Sequence, residues 1–118
     1  MDSQDKLSKL TERIIAFRDA RDWKQFHNPK DVALSMVLEA GEVMEHFQWK
    51  NTEEMQEHIG NHRDEIGDEL ADVLYWVLLM SHDLDIDIFE AVDRKMKKNE
   101  EKYPEEKAKG QHTKYTKL

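Results

Sequence analysis

The sequence predicts an all-α protein that packs as a four-helix bundle. Three observations carry this. Glycine (4) and proline (2) are scarce in 118 residues, and they fall at segment boundaries or at one odd position. The long segments between them carry apolar residues at helical spacing. No segment alternates apolar and polar residues cleanly enough for a strand.

The first helix is expected over Ser3 to Ala20, where Leu7, Leu10, Ile14 and Phe17 form one apolar stripe. Arg21 to His27 then form a connection. Asn28-Pro29-Lys30-Asp31 is a strong helix start: Asn28 caps, Pro29 suits the first turn, and Asp31 favours the positive helix end. The second helix runs from Pro29 to about Gln48. It is apolar on more than one side, through Val32, Leu34, Met36, Val37, Leu38, Val43, Met44 and Phe47. Such a helix is central or meets another subunit. Asn51-Thr52-Glu53-Glu54 reads as a loop and a new helix start, interrupted at Gly60-Asn61. A third main helix spans about His62 to Ser81, apolar from Leu70 to Met80 apart from Asp72. Asp87, with Glu90 three residues on, resembles a cap with its box partner. The last main helix carries Ile88, Phe89, Val92 and Met96 and ends before Pro104. Four main helices make a four-helix arrangement the simplest packing.

One domain over residues 1–118 is expected, with about 104–118 as an extended lysine-rich tail that is mobile, closes over a ligand or packs on a neighbour. Mean hydropathy is −0.91. No apolar run reaches the roughly 20 residues of a membrane span, and the first residues do not read as a secretion signal. The lack of cysteine excludes disulfides, thiol nucleophiles and thiolate metal sites, and a cytoplasmic setting is expected. Net charge is −8. Outside the lysine-rich end there is no basic stripe for duplex nucleic acid. An anionic ligand therefore needs a cation to bridge it.

Two acid pairs interrupt the two most apolar helices: Glu39-Ala-Gly-Glu42 and Glu69-Leu-Ala-Asp72. A spacing of three puts each pair on one helix face. Carboxylates about 4 Å apart repel by about 4 kcal/mol at an effective dielectric near 20. Either their proton affinities rise or a cation sits among them. Hard oxygen donors select Mg²⁺, Mn²⁺ or Ca²⁺ over zinc. The plain alternative is a solvated acidic face. Glu65 and Glu45 each extend a pair by one turn, as further ligands or solvated acids. Gly41 sits mid-helix, for close approach of a phosphate or for tight helix packing. No histidine follows a glutamate by three residues, which argues against a di-iron site. His58 and His62 have zinc-like spacing, but Gly60-Asn61 lies between them, and both read as surface histidines.

Glu-x-x-Glu, 26 residues, then Glu-x-x-Asp resembles the signature of the MazG-like, all-α nucleotide pyrophosphohydrolases. Arg21-Asp-Trp-Lys-Gln-Phe-His27, Phe47-Gln-Trp-Lys50, Lys95-Met-Lys-Lys-Asn99, Tyr103-Pro104 and Lys114-Tyr-Thr-Lys-Leu118 are similar to the dCTP pyrophosphatase branch. The resemblance implies a MazG fold assembling as a dimer or a dimer of dimers. It implies Mg²⁺-dependent cleavage of nucleoside triphosphates to monophosphate and pyrophosphate, in house-cleaning or dNTP-pool control. Glu39, Glu42, Glu69 and Asp72 match the metal ligands, with Glu39 and Glu42 as candidates to activate water and Mn²⁺ as a substitute ion. Trp23, His27, Trp49 and Trp76 match residues around the base, and Lys95 and Asn99 match polar substrate contacts. Read from the residues, Trp76 serves equally as core and His27 as a capping or loop histidine. Two positions depart from the branch: Ile14 stands where it can place histidine, and Trp76 where it places tyrosine. Both bear on base or sugar selectivity. The alternatives are a related hydrolase acting on dUTP or phosphoribosyl-ATP, and a non-enzymatic oligomeric helical binding module.

Overall fold

The computed structural model describes residues 3–118, with the side chains described from residue 5 onward. Those residues are helical with no strand, and they divide between Asp85 and Ile86 into two compact units.

The first unit contains α1 (Ser3–Ala20), α2 (Pro29–Glu45), α3 (Thr52–Asn61) and α4 (Arg63–Asp83). Helix α4 is the centre: α2 makes its broadest contact there, and α1 and α3 also pack on it. Local chemistry sets the helix starts. Asn28 Oδ1 accepts from the Asp31 N–H at 2.9 Å, with Pro29 in the first turn. Asn51 and Glu54 form a reciprocal capping box, at 2.9 and 3.0 Å. Helix α3 passes through Gly60 and ends at Asn61, so a single residue, His62, joins it to α4. Helix α2 ends at Glu45, three residues before the expected Gln48, and the chain then turns tightly through Trp49 at φ 68°.

Val32, Leu78 and Leu79 are the fully buried apolar side chains among the described residues. Beside them lies a buried cation. The Arg18 guanidinium, at the end of α1, donates to Asp83 Oδ2 at 2.6 Å and to Asp19 Oδ1 at 3.1 Å. Burial alone would weaken its proton affinity, but the two acids more than offset that. This pair pins the last turn of α1 to the last turn of α4.

The second unit contains α5 (Ile88–Lys102), α6 (Glu105–Ala108) and a 3-10 turn at Tyr115–Lys117. Asp87 caps α5 through the Glu90 N–H at 3.1 Å. The Glu90 carboxylate instead takes two 2.9 Å hydrogen bonds from Arg94. The expected extended tail is partly folded. Tyr115 packs edge-on against Tyr103 at 5.9 Å, and the Lys102 ammonium lies 4.8 Å from its ring centre.

Candidate active site

Helices α2 and α4 run antiparallel where their acids meet, since Glu39 and Glu42 face Asp72 while His46, just past the end of α2, faces Glu69. Oxygens of Glu39, Glu42 and Asp72 all lie within 4.8 Å of one another. No lysine or arginine pairs with these three among the described residues. At that separation each pair repels by about 3.5 kcal/mol for an effective dielectric near 20. Burial, followed by the neighbouring Glu42, Asp72 and Glu69 carboxylates, raises the Glu39 proton affinity above the ordinary glutamate range. Glu39 Oε2 is buried and accepts no hydrogen bond. An orphaned carboxylate oxygen within an all-oxygen donor set fits a hard divalent cation.

Glu69, expected in the same cage, has one oxygen turned away: its Oε2 meets His46 Nε2. It remains near enough to Glu39 to add to the repulsion there. Glu65 is outside the group too, paired with His62 Nδ1 at 3.0 Å.

A cavity of about 560 Å³ opens beside the acids, and Glu39 and Asp72 form part of its wall. Phe17, Trp23, Tyr75 and Trp76 supply its aromatic surface. These rings support one another edge-on, with centroids 5.6 Å apart for Phe17–Trp23, 6.4 Å for Phe17–Tyr75 and 5.0 Å for Tyr75–Trp76. The Arg21 guanidinium lies 3.8 Å from the Phe17 ring centre and donates to the Phe17 carbonyl at 2.9 Å. Ile14 and Arg13 also line the cavity, so the Ile14 departure falls in its wall.

Trp23 and Trp76 thus line the cavity. His27 stands edge-on to Trp76 at 5.3 Å, its Nδ1 buried without a hydrogen bond. Burial, then the Arg18 charge, lowers its pKa, so the ring is neutral near pH 7. Trp49 is 92% exposed and is not among the lining residues. Lys95 and Asn99 lie on α5, in the second unit.

Sequence reasoning missed Arg13, Tyr75 and His46, and took Phe17 only as part of an apolar stripe. Arg13 and Phe17 are four apart on α1, and Asp72, Tyr75 and Trp76 are three and four apart on α4. Helical spacing from Asp72 and Glu42 points to Tyr75 and His46, three and four residues on, whereas nothing in the sequence singles out Arg13. Gly41 does not serve tight packing within this unit, because a Cβ there would meet nothing within 4 Å.

Residues 34–118 match the model of the MazG-like family. The chain is 34% identical over 118 residues to a dCTP pyrophosphatase 1 from Bos taurus, covering 98% of this chain and 70% of that protein. It is 38% identical over 104 residues to the Mus musculus protein of the same name, covering 86% and 61%. The chain therefore spans about two thirds of the length of these relatives. Among solved structures, a pyrophosphatase from Archaeoglobus fulgidus superposes with a TM-score of 0.79 at 39% identity, covering 84% of this chain and 93% of that one.

Proposed function

Because the chain belongs to the MazG-like family, we propose that it is a nucleoside triphosphate pyrophosphohydrolase. It takes dCTP, a modified dCTP or another dNTP to the monophosphate and pyrophosphate. The observation that carries this reading is a shared wall: Glu39 and Asp72 belong both to the acidic group and to the aromatic cavity. A base among the four rings brings its phosphates toward the carboxylates. Stacking contributes about 1–3 kcal/mol per base and tolerates different bases.

Glu39, Glu42, Asp72 and the other oxygen of Glu69 would hold Mg²⁺, with Mn²⁺ as a substitute. A divalent cation so held neutralises triphosphate charge and makes water a better nucleophile. The chain's own residues orient and move the proton. Glu39 and Glu42 are the candidates to orient the water attacking the α-phosphorus and to take its proton, through a carboxylate oxygen that a cation leaves unbound. By match to the family, Lys95 and Asn99 are the residues assigned to the phosphates and the leaving pyrophosphate. Trp49 closes on the base, and His27 holds Trp76 in place.

The working form is a homo-oligomer, a dimer or a dimer of dimers. Leu34, Val37 and Leu38 are 55, 68 and 70% exposed along one side of α2, and the open Gly41 continues that stripe. A second copy of the chain covers such a surface. No described helix is long and apolar enough to cross a membrane, in keeping with a cytoplasmic role in cleaning or balancing the dNTP pool.

The test is pyrophosphate release from separate dNTPs, NTPs and modified dCTPs, with and without Mg²⁺, using Glu42→Gln as control. Metal-dependent release lost in the control is expected. Including dUTP and phosphoribosyl-ATP decides whether Ile14 and Trp76 redirect the site. Silence across the panel, with no stabilisation by Mg²⁺, overturns the reading in favour of a non-enzymatic module.

A further inference from the structure

A row of imidazoles leads away from the acidic group. His46 Nε2 meets Glu69 Oε2. Behind it, His46 Nδ1 lies 2.7 Å from His58 Nε2. The His58 ring stacks on His62 at 4.4 Å, with an interplanar angle of 25°, and Phe47 stands edge-on to it at 6.4 Å. His58 and His62 are thus not independent surface histidines. Helix α3 continues through Gly60, and it brings His58 against the end of α2.

The polarity of this row follows from valence. His46 Nε2 and Glu69 Oε2 are buried, have no hydrogen-bond partner elsewhere and meet each other, so a hydrogen between them belongs to Nε2, since a carboxylate only accepts. In the tautomer with its one hydrogen there, His46 Nδ1 accepts and His58 Nε2 donates to it. His46 is largely buried, with 10% of its side chain exposed, and Glu69 is 27% exposed. Two rings held by stacking and by a short hydrogen bond leave Glu69 little freedom to rotate.

We propose that His46, oriented by His58, is a positioning residue for Glu69. It occupies Oε2 and so leaves Oε1 as the oxygen available to a divalent cation held by Glu39, Glu42 and Asp72, a 4.8 Å group that Glu69 itself does not join. The inference rests on the pyrophosphohydrolase reading above. Such outer partners of ligating carboxylates typically contribute 10- to 100-fold to metal affinity or activity. His46 contributes to cation affinity and not to choice of base, because it does not line the aromatic cavity.

The experiment is a Mg²⁺ titration followed by melting temperature, with no nucleotide present, on the full chain and on His46→Leu, His46→Gln and His58→Phe. Pyrophosphate release against Mg²⁺ is measured in parallel. For His46→Leu, the Mg²⁺ concentration giving half the stabilisation should rise by about 10- to 100-fold, with the ranking of nucleotides unchanged. His46→Gln, whose amide can still donate, should recover part of the loss. His58→Phe keeps the ring stack but removes the donor, and should show a smaller rise. It also serves as the deciding variant if His46→Leu does not fold. An unchanged or tighter Mg²⁺ half-point in folded His46→Leu, or in His58→Phe if it must decide, overturns the proposal. If the unaltered chain shows neither Mg²⁺ stabilisation nor activity, it is the pyrophosphohydrolase reading that fails.

Discussion

Removing one acid from the cluster should stabilise the metal-free protein. Take Asp72→Asn. Its carboxylate oxygen lies within 4.8 Å of oxygens of both Glu39 and Glu42. Each interaction is about 3.5 kcal/mol at an effective dielectric near 20. Asp72 and Glu42 are exposed, so solvent screening leaves about a third of that, about 1 kcal/mol per pair. Proton uptake by Glu39 relieves a further part. A net gain of about 1–2 kcal/mol remains, which in a domain of this size raises the melting temperature by roughly 5–10 °C. The gain depends on pH in a definite direction. Glu39 holds its proton more tightly folded than unfolded, because of burial and its acidic neighbours. Between the ordinary glutamate range and that raised value the folded state binds more protons, so stability falls as pH rises through the window. The variant's advantage over the unaltered chain is then fully developed above it. Added Mg²⁺ reverses the order, since the unaltered chain gains stability by mass action and Asp72→Asn gains far less. Scanning calorimetry in chelator and in Mg²⁺, at pH 5 and pH 8, reads all four values. A metal-free variant no more stable than the unaltered chain at pH 8 refutes the argument, as does an equal Mg²⁺ gain in both.

Three further outcomes follow from the geometry. Asp83→Asn leaves the buried Arg18 guanidinium with Asp19 alone and should cost about 3 kcal/mol in urea unfolding. Burial opposes the Asp83 charge, but Arg18 and His82 lower its pKa overall, so its stabilisation is present above the ordinary aspartate range and is lost as pH falls through the lowered value. Arg13→Leu removes a donor-only group from the cavity wall; nucleotide KM should rise several-fold while the Mg²⁺ half-point stays fixed, and a change confined to metal dependence would place Arg13 elsewhere in the mechanism. Trp49→Gly relieves a bulky residue at φ 68° and should raise stability by about 1 kcal/mol while weakening nucleotide binding; equal KM values in the two proteins remove Trp49 from the substrate site.

The sequence made the helices legible where their ends carry local chemistry. Ser3–Ala20 and the starts at Pro29, Thr52 and Ile88 follow caps and apolar periods that act within a few residues. The end of α2 was not legible. No glycine or proline marks Glu45; past it the His46 and Phe47 amides bond carbonyls three residues back, and Trp49 takes a left-handed backbone conformation that its residue type disfavours. The same division holds at the site. Glu39, Glu42 and Asp72 were visible because acids inside apolar runs violate the pattern around them. Glu69 was visible too, but its pairing with His46 was not, since the two are 23 positions apart and meet only once α2 packs on α4. His46, just past the end of α2, and His58 on α3 are likewise 12 apart. Arg13 gave no sign, because exposed arginines are ordinary on helices, and Tyr75 showed only through its spacing of three from Asp72.

The α2–α4 contact has to serve both as the main packing interface and as the wall of the site, and the two demands conflict. Packing favours apolar side chains along the seam, yet three of its positions carry repelling carboxylates and a fourth an imidazole–carboxylate pair. The apolar side chains that are fully buried sit at the ends of these helices, Val32 on α2 and Leu78 and Leu79 on α4. Arg18 and Asp83 lock the same end to α1. One end of the seam is therefore held by burial and a paired charge, while its middle carries like charges that repel. On the proposed reading a cation joining the acids would relieve that repulsion and couple ligand binding to folding stability through one interface. This is why melting temperature, with no nucleotide present, reports directly on the acids proposed to perform the hydrolysis.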